Sequence, residues 1–358
     1  MKALVLLTLA AVLLFSGCVA TSEKNFELPS LSTGSTETPE ISNTTVQSSK
    51  LIDSLIDNMQ LDKAKNSVAG YTCESTFEDI LDKAEGKINT VFLTYYSELV
   101  GYPAVATYVF RNTDDAVNTD AGNPPLCLMT FEIIQDKNNN EQLNEIVSSM
   151  DAVLGEHSTD EEPGFYKWEN ESYHISLSTD SSVAAEPIVR VFAYAPPETD
   201  LTSLFPYAFG TDIKTVYHNE TPAPLPESYT ISPYSYHLIY DDGGTRFAYF
   251  FAVRESELKL SSAEFHTDLY DIETEDIGNC LQSFGDRMEQ ILGSADSRSI
   301  MSYNTKPSLF MEWPGLEIKA YQYLSDKNYS IFINFSEDYF IGNEAHKKSC
   351  VMAENRVT

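Results

Sequence analysis

Basic residues are scarce in this chain. Its 358 residues include 23 Lys and Arg against 54 Asp and Glu, so the formal net charge is −31 at pH 7. Nucleic-acid binding needs clustered Lys and Arg to neutralise phosphates, and this composition excludes it as a function. The same charge opposes adsorption to an anionic membrane surface. We interpret the acidity as serving solubility, or attraction to cations and basic partners.

Recognisable catalytic motifs are also lacking. The six histidines are scattered, without the HxxxH or HExxH spacing of a helical zinc protease. The chain has no GxSxG elbow, no SxxK, no phosphate-binding glycine loop and no dinucleotide fingerprint. We therefore predict a protein that is not an enzyme and uses no cofactor.

The sequence contains no complete calcium or zinc motif. The polar run at Asp136 starts like an EF-hand loop, but Glu141 stands where that loop needs glycine. The run from His266 to Asp276 gathers several carboxylates and is interpreted as a solvated loop. No CxxC occurs among the five cysteines, which counts against a zinc or thiol redox motif. We predict no metal site.

The longest N-terminal apolar run is short. It covers about 13 residues, 3–15, which suits a signal peptide and is too short to cross a bilayer as a helix. The letters LFSGC that close it resemble the lipobox of prokaryotic lipoproteins, although Phe15 replaces the preferred Leu. The resemblance implies a signal peptide over 1–17, lipid attachment at Cys18 and anchoring on the extracytoplasmic face of the membrane. Cleavage after Ala20 and plain secretion is the alternative.

Residues 18–50 have little with which to build a core. Ser and Thr make up about two fifths of them, and Phe26 is the only aromatic residue. Such a stretch buries too little apolar surface to offset its ordering entropy, and it is predicted to be a disordered tether. An amphipathic helix is expected to follow over 51–65, in a leading segment of 51–70, and residues 338–358 are predicted to be a C-terminal tail.

An internal repeat is visible in two helical segments. LNEIVSSMDAVLG begins at Leu143 and LQSFGDRMEQILG begins at Leu281, with apolar residues at the same spacing in both. That spacing gives one apolar helix face, and the glycines at 155 and 293 stand where a left-handed residue ends a helix. FYKWEN and FMEWPG follow, each with one of the only two tryptophans. Further β-rich runs follow both, typical of an antiparallel meander.

The two copies therefore share an order of short helix, three strands, longer helix and three strands. This predicts an α+β protein of two tandem repeats, over 71–197 and 204–337, each a mainly antiparallel sheet with helices on one face. The pattern resembles modules like the β-lactamase inhibitor protein and small outer-membrane lipoproteins. That resemblance implies protein binding or envelope assembly rather than catalysis.

Two candidate sets of residues follow. The four cysteines after Cys18 allow three disulfide connectivities, and the repeat favours pairing within each half. Four tyrosines alternate on neighbouring predicted strands and are our predicted ligand patch if that face is exposed. The candidate disulfide residues are Cys73, Cys127, Cys280 and Cys350, and the candidate patch is Tyr234, Tyr236, Tyr240 and Tyr249.

The sequence thus favours a membrane-anchored, extracytoplasmic, non-catalytic lipoprotein that binds a protein or peptide partner. Two alternatives stay open at this point. One is a secreted hydrolase with its site between the repeats, and the other is a structural spacer that projects from the membrane.

Overall fold

The structure is a computed structural model. It describes residues 43–84, 87–111, 124–134, 140–159, 164–180, 188–197, 199–222, 237–242, 245–269, 274–303, 306–322 and 329–342. The predicted signal peptide and Cys18 lie outside these residues, as does nearly all of the predicted C-terminal tail. Everything described belongs to one compact unit that starts at Ser42.

Six helices occur in the described residues. The third and fifth are the two amphipathic segments found in the sequence, and the second and fourth are short helices capped by Thr76 and Asp212. The helices are α1 (Asn43–Met59), α2 (Phe77–Lys83), α3 (Asn140–Leu154), α4 (Ile213–Asn219), α5 (Thr274–Leu292) and α6 (Glu337–Ile341).

In the part of the chain that the structure describes, fourteen strands form a single antiparallel sheet. They are β1 (Ile88–Leu99), β2 (Tyr102–Arg111), β3 (Leu126–Ile134), β4 (Ser158–Thr159), β5 (Phe165–Asn170), β6 (Tyr173–Asp180), β7 (Ile188–Tyr194), β8 (His237–Asp242), β9 (Thr245–Arg254), β10 (Glu257–Leu269), β11 (Ser297–Tyr303), β12 (Lys306–Trp313), β13 (Leu316–Gln322) and β14 (Tyr329–Phe335). The mixed α+β class predicted from the sequence is confirmed.

The order of strands is the same in the two halves of the sheet. Across the sheet it runs β11-β12-β13-β14-β10-β9-β8-β1-β2-β3-β7-β6-β5-β4. The halves meet where β1 pairs antiparallel with β8, with Val91 opposite Leu238. The sequence led us to expect a separate sheet for each half. Because β1 and β8 expose edges that hydrogen-bond to each other, the two halves share one sheet instead.

One continuous core lies between the helices and one face of the sheet. Along β10, side chains alternate between buried and partly exposed, which is the period of two expected of a strand with one covered face. All six helices contribute buried side chains to the same cluster, including Leu55 of α1, Ile146 of α3 and Phe284 of α5. We call the opposite face of the sheet the outer face.

The ends of α3 and α5 are built alike. Gly155 and Gly293 follow the helices with φ angles of 90° and 86°, a conformation that glycine adopts without strain. Both tryptophans are buried, at 2% exposure for Trp168 and 8% for Trp313. The Trp168 indole N–H donates to Asp151 Oδ1, and the Trp313 indole N–H donates to the Gly293 carbonyl, both at 2.9 Å. Each indole thus ties its strand to its helix.

The first helix differs from the prediction. It begins at Asn43, inside the segment assigned to the tether, and ends at Met59 rather than near residue 65. Asp62 then caps a turn by accepting from the Ala64 and Lys65 backbone N–H groups. The Ser- and Thr-rich composition gave no sign of the start of the helix, because Ser and Thr are weak helix formers. Tertiary contacts can override this weak preference.

Candidate functional site

The outer face of the second half contains a hollow of about 600 Å³. Its walls come from β9, β10, β12, β13 and β14, with the turn between β12 and β13 at one end. The apolar residues Phe250, Trp313 and Leu316 border it, the last two with side chains that belong to the core, and polar groups come from Ser262, Asn334 and several carboxylates. Concave sites of this size with a few convergent polar groups are typical of ligand binding. We call it the acidic hollow.

Its carboxylates lie in one row across the sheet. The strand register places Glu264 opposite Asn334, Asn334 opposite Glu317, and Glu317 opposite Glu312. Neighbouring strands are about 4.8 Å apart, so three glutamates stand within about 15 Å. Asp296 joins them in the lining. Like charges directly opposite each other destabilise a sheet, so packing gives no reason for the Glu312 and Glu317 pair.

The row is only partly neutralised. Lys319 Nζ lies 2.7 Å from Glu317 Oε2. Ser297 Oγ donates to Glu312 Oε2 at 3.2 Å, which supplies a hydrogen bond and no charge. Glu312 and Asp296 are exposed. The hollow therefore carries an excess of negative charge.

Glu264 is the most enclosed of these carboxylates. Burial raises the pKa of Glu264 above its ordinary value of 4.5, although His266 and Arg246 act in the opposite direction. A carboxylate in such an environment gains more from a cationic ligand than an exposed one does, because it is less well hydrated. The centre of the hollow is thus the place where a positive group would gain most.

A polar and aromatic cluster adjoins the hollow. His266 Nε2 lies 3.0 Å from Asp268 Oδ1, and Ser330 Oγ donates to the same oxygen at 2.6 Å. The hydrogen bond with His266 is the main reason that the pKa of Asp268 lies below its ordinary value. Phe332 stacks on His266 with ring centroids 4.4 Å apart and also on Tyr321 at 5.6 Å. Ser330 and His266 both bind Asp268, so this is not the serine-histidine relay of a hydrolase.

The corresponding row of the first half has a different character. Lys167 precedes Trp168 as Glu312 precedes Trp313, so the two residues occupy corresponding positions. Lys167 lies opposite Ser176, and Ser176 lies opposite Phe192. Phe192 lies opposite Thr130, and Thr107 and Thr94 continue the row. Thr94 Oγ1 and Thr107 Oγ1 are 3.0 Å apart. This row contains no carboxylate.

The predicted tyrosine patch is wrong at the residue that the structure tests most directly. Tyr249 is 0% exposed and packs edge to face against Tyr71 with ring centroids 5.4 Å apart. It shares the covered face of β9 with Phe247 and Phe251, so it belongs to the core. Tyr240 lies on β8, although its side chain is outside the described residues, and Tyr234 and Tyr236 lie entirely outside them.

The predicted disulfide of the first half is also absent. Cys73 and Cys127 are both free thiols. Cys127 is buried on the outer face against Val109, whose carbonyl lies 3.5 Å from its Sγ. Cys73 lies in the loop before α2, beside Glu74 and Arg254. The two thiols thus lie in different surroundings and are not joined. Cys280 is half-buried on α5, and Cys350 lies outside the described residues.

Part of the run interpreted as a solvated loop is regular structure. His266 and Asp268 lie within β10, and Glu275 and Asp276 lie within α5. No cluster of three or more His, Cys, Asp or Glu with metal-binding geometry occurs among the described residues.

The hollow was missed in the sequence, although one signal for it was present. The letters EWPGLE place two glutamates symmetrically about Pro314 and Gly315, which form the two-residue turn between β12 and β13. A hairpin with this turn sets Glu312 opposite Glu317. Glu264 could not be added in the same way, because β10 reaches the row only through the folded sheet.

Comparison with known proteins provides no further guide. No family model matches the chain, and no curated protein and no solved structure matches it significantly. Within the described part of the chain, no helix has both the length and the apolar character needed to span a bilayer.

Proposed function

We propose that this chain is a non-catalytic binding protein whose acidic hollow recognises a basic segment of a partner protein. The observation that carries the proposal is the row formed by Glu264, Glu317 and Glu312 along a concavity of about 600 Å³. Carboxylates arranged in this way attract Lys and Arg and fix the register of a partner, since electrostatic complementarity acts mainly on specificity and association rate.

The difference between the halves supports this reading. Solubility alone gives no reason to collect carboxylates in one row of the outer face. The corresponding row of the first half holds Lys167, Ser176 and Thr130. The net charge of −31 strengthens the attraction of a basic partner over longer distances.

We further propose that the two halves are tandem repeats of one module, as the sequence indicates. The identical strand order, the glycine-terminated helices α3 and α5, and the buried tryptophans support this. At both helix ends a carboxylate also accepts a backbone N–H six residues later, His157 to Asp151 and Ala295 to Glu289, both at 3.2 Å. Two repeats that share the same core can differ on their outer faces, so one copy can acquire a binding function that the other lacks.

The placement of the protein remains part of the proposal. The lipobox-like letters ending at Cys18 support a lipid anchor on the extracytoplasmic face of the membrane, with plain secretion as the alternative. Mass measurement of the mature N-terminus tests this, because an acylated Cys18 and a chain beginning after Ala20 differ in both sequence and mass.

Isothermal titration calorimetry with two probe peptides tests the binding proposal. One is an acetylated heptapeptide of alternating Lys and Val, and the other has Glu in place of each Lys. We expect the lysine peptide to bind and the glutamate peptide not to bind. Added salt should weaken binding, because exposed charges are screened over about 8 Å at physiological ionic strength.

A pair of double variants locates the binding. The change Glu312→Gln with Glu317→Gln should lower the affinity about tenfold, which corresponds to about 1.4 kcal/mol. The matched control, Glu156→Gln with Glu171→Gln, removes the same charge from the first half and should leave the affinity within about twofold. Equal losses in both variants would mean that overall charge, and not the hollow, attracts the peptide.

A further inference from the structure

The two edges of the sheet are protected very differently. At one edge, β4 is a strand of only two residues, and a strand that short offers little to pair with. At the other edge, β11 runs for seven residues. It pairs with β12 on one side, and no described strand pairs with its other side.

β11 lacks the features that usually prevent another strand from adding to a sheet edge. It carries no proline, and its one charged residue, Arg298, is held within the molecule. The Arg298 guanidinium lies 2.7 Å from Asp286 and 2.5 Å from Glu289, both on α5. Lysines and prolines on an edge normally prevent the addition of another strand. Neither edge has these residues, but β4 is protected by its short length, whereas the seven residues of β11 are not.

Both faces of β11 also expose an apolar side chain. Ile300 is 40% exposed and Met301 is 50% exposed. The register sets Ile300 opposite Leu309 on the helix side and Met301 opposite Ser308 on the outer side. An added strand would cover both, since cross-strand and diagonal side chains on neighbouring strands touch one another.

The acidic hollow begins next to this edge. Ser297 of β11 lies opposite Glu312, and the exposed Asp296 comes immediately before the strand. A residue added opposite Ser297 would lie about 10 Å from Glu312, two strand spacings away, and a Lys or Arg side chain spans much of that distance. A second copy of this chain brings its own negative charge to the same place, so repulsion opposes that pairing.

From these observations we infer that β11 is a strand-addition site that accepts an extended, basic segment of a partner protein. Main-chain hydrogen bonds to the free edge supply affinity, as in other cases of β-augmentation. Apolar residues of the segment cover Ile300 and Met301, and a basic residue at one end enters the acidic hollow. The inference rests on the proposed function for the charge of the partner, and it adds the conformation in which the partner binds.

Backbone methylation of the probe separates this inference from the proposed function. The Lys-Val heptapeptide is compared with the same peptide N-methylated at every residue, which keeps the charge and removes the strand donors. We expect the unmodified peptide to bind at least about tenfold more tightly. Equal affinity would overturn strand addition and leave the acidic hollow as a binding site. Binding by neither peptide would overturn both.

Hydrogen exchange followed by mass spectrometry gives a second readout on the unaltered protein. Amides of Ser297–Tyr303 should exchange more slowly when the unmodified peptide is bound, and the two-residue β4 should not change. Absence of protection in β11 on a saturated complex would contradict the inference. A dimer in sedimentation equilibrium with β11 already protected would identify a second copy as the occupant and overturn it as well.

Matched variants test the apolar contribution. Ile300→Gln with Met301→Gln should weaken binding of the unmodified peptide several-fold. Val153→Gln with Ile291→Gln alters two helix residues that are exposed to a similar extent, 45% and 41%, and should have no effect. Equal effects of the two pairs would contradict a contact at β11.

Discussion

The two halves of the sheet agree on the inside and differ on the outside. Leu177 of β6 and Ile318 of β13 are both 0% exposed, and each lies two residues beyond the partner of its tryptophan. On the outer face, Lys167 and Ser176 in one half stand where Glu312 and Glu317 stand in the other. Interior positions must fill a fixed volume at crystal-like density, whereas outer positions have no such constraint. This difference is the reason that we place the proposed function on the outer face.

The largest effect on stability is expected when one buried side chain in the core of each half is truncated. Leu177→Ala and Ile318→Ala should each lower the free energy of unfolding by about 2–5 kcal/mol, the range for fully buried Leu and Ile. Chemical denaturation measures both. A loss below about 1 kcal/mol in one half alone would show that the two interiors are not equivalently packed.

The two tryptophans should contribute differently to stability, because their hydrogen-bond partners differ in charge. Trp168→Phe loses a bond to the Asp151 carboxylate and should cost about 1.5–3 kcal/mol at pH 7, and Trp313→Phe loses a bond to a carbonyl and should cost about 0.5–1.5 kcal/mol. Denaturation of both variants at several pH values measures the difference.

Of the two tryptophan hydrogen bonds, only the one in the first half should depend on pH. Partial burial acts to raise the pKa of Asp151, but hydrogen bonds from His157 and Trp168 outweigh it and hold the pKa below its ordinary value of 3.8. A lowered pKa stabilises the fold above the ordinary value, and this contribution is lost as the pH falls through the folded pKa. The cost of Trp168→Phe should therefore shrink below about pH 3.8, while that of Trp313→Phe stays constant. An unchanged difference at low pH would contradict this assignment.

The turn between β12 and β13 and the turn between β5 and β6 should differ in how much a substitution lowers stability. Gly315 has a φ of 73°, and a Cβ there would lie 2.1 Å from the Tyr339 backbone nitrogen at the start of α6. Gly315→Ala should cost about 1–3 kcal/mol, the range for overpacking, as measured by denaturation. Ser172→Ala in the first-half turn is exposed and should stay within about 0.5 kcal/mol of the parent. Similar losses in both turns would contradict the close contact at Gly315.

Glu264 gives the smallest expected effect. Its pKa is raised by burial, so folding is favoured below the ordinary value of 4.5 and less so as the pH rises through the folded pKa. Glu264→Gln should stabilise the protein by roughly 0.5 kcal/mol at pH 7, the scale of a surface substitution, and by nothing at pH 3. Thermal unfolding at the two pH values measures this. A destabilised variant at pH 7 would show that the carboxylate has a structural partner.

Local periodicity predicted much of the fold. The apolar spacing from Leu143 and from Leu281 gave helices α3 and α5, and the runs around Trp168 and Trp313 gave β5 and β12. The edge strand β11 was missed, because SRSIMSY has serine at three of its seven positions, whereas strands usually favour β-branched and aromatic residues. Short β4 has too few residues to produce a pattern.

Contacts between residues far apart in the chain could not be predicted. The pairing of β1 with β8 joins strands that are separated in the chain by six other strands and two helices, and no local pattern specifies it. The acidic hollow depends on the order of four strands, so only its EWPGLE hairpin was visible beforehand. Tyr249 was assigned to an exposed patch, although its alternation with Phe247 and Phe251 already indicated the covered face.

The direct test is tryptophan fluorescence, since each half holds one of the two tryptophans and Trp313, whose indole packs at the end of α5, directly follows Glu312 of the acidic hollow in β12. The Trp168→Phe variant leaves only Trp313, and the Trp313→Phe variant leaves only Trp168. On titration with the Lys-Val heptapeptide, the emission of Trp313 should shift to saturation while that of Trp168 stays constant. A silent Trp313, or an equal shift of Trp168, would contradict the assignment of binding to the outer face of the second half.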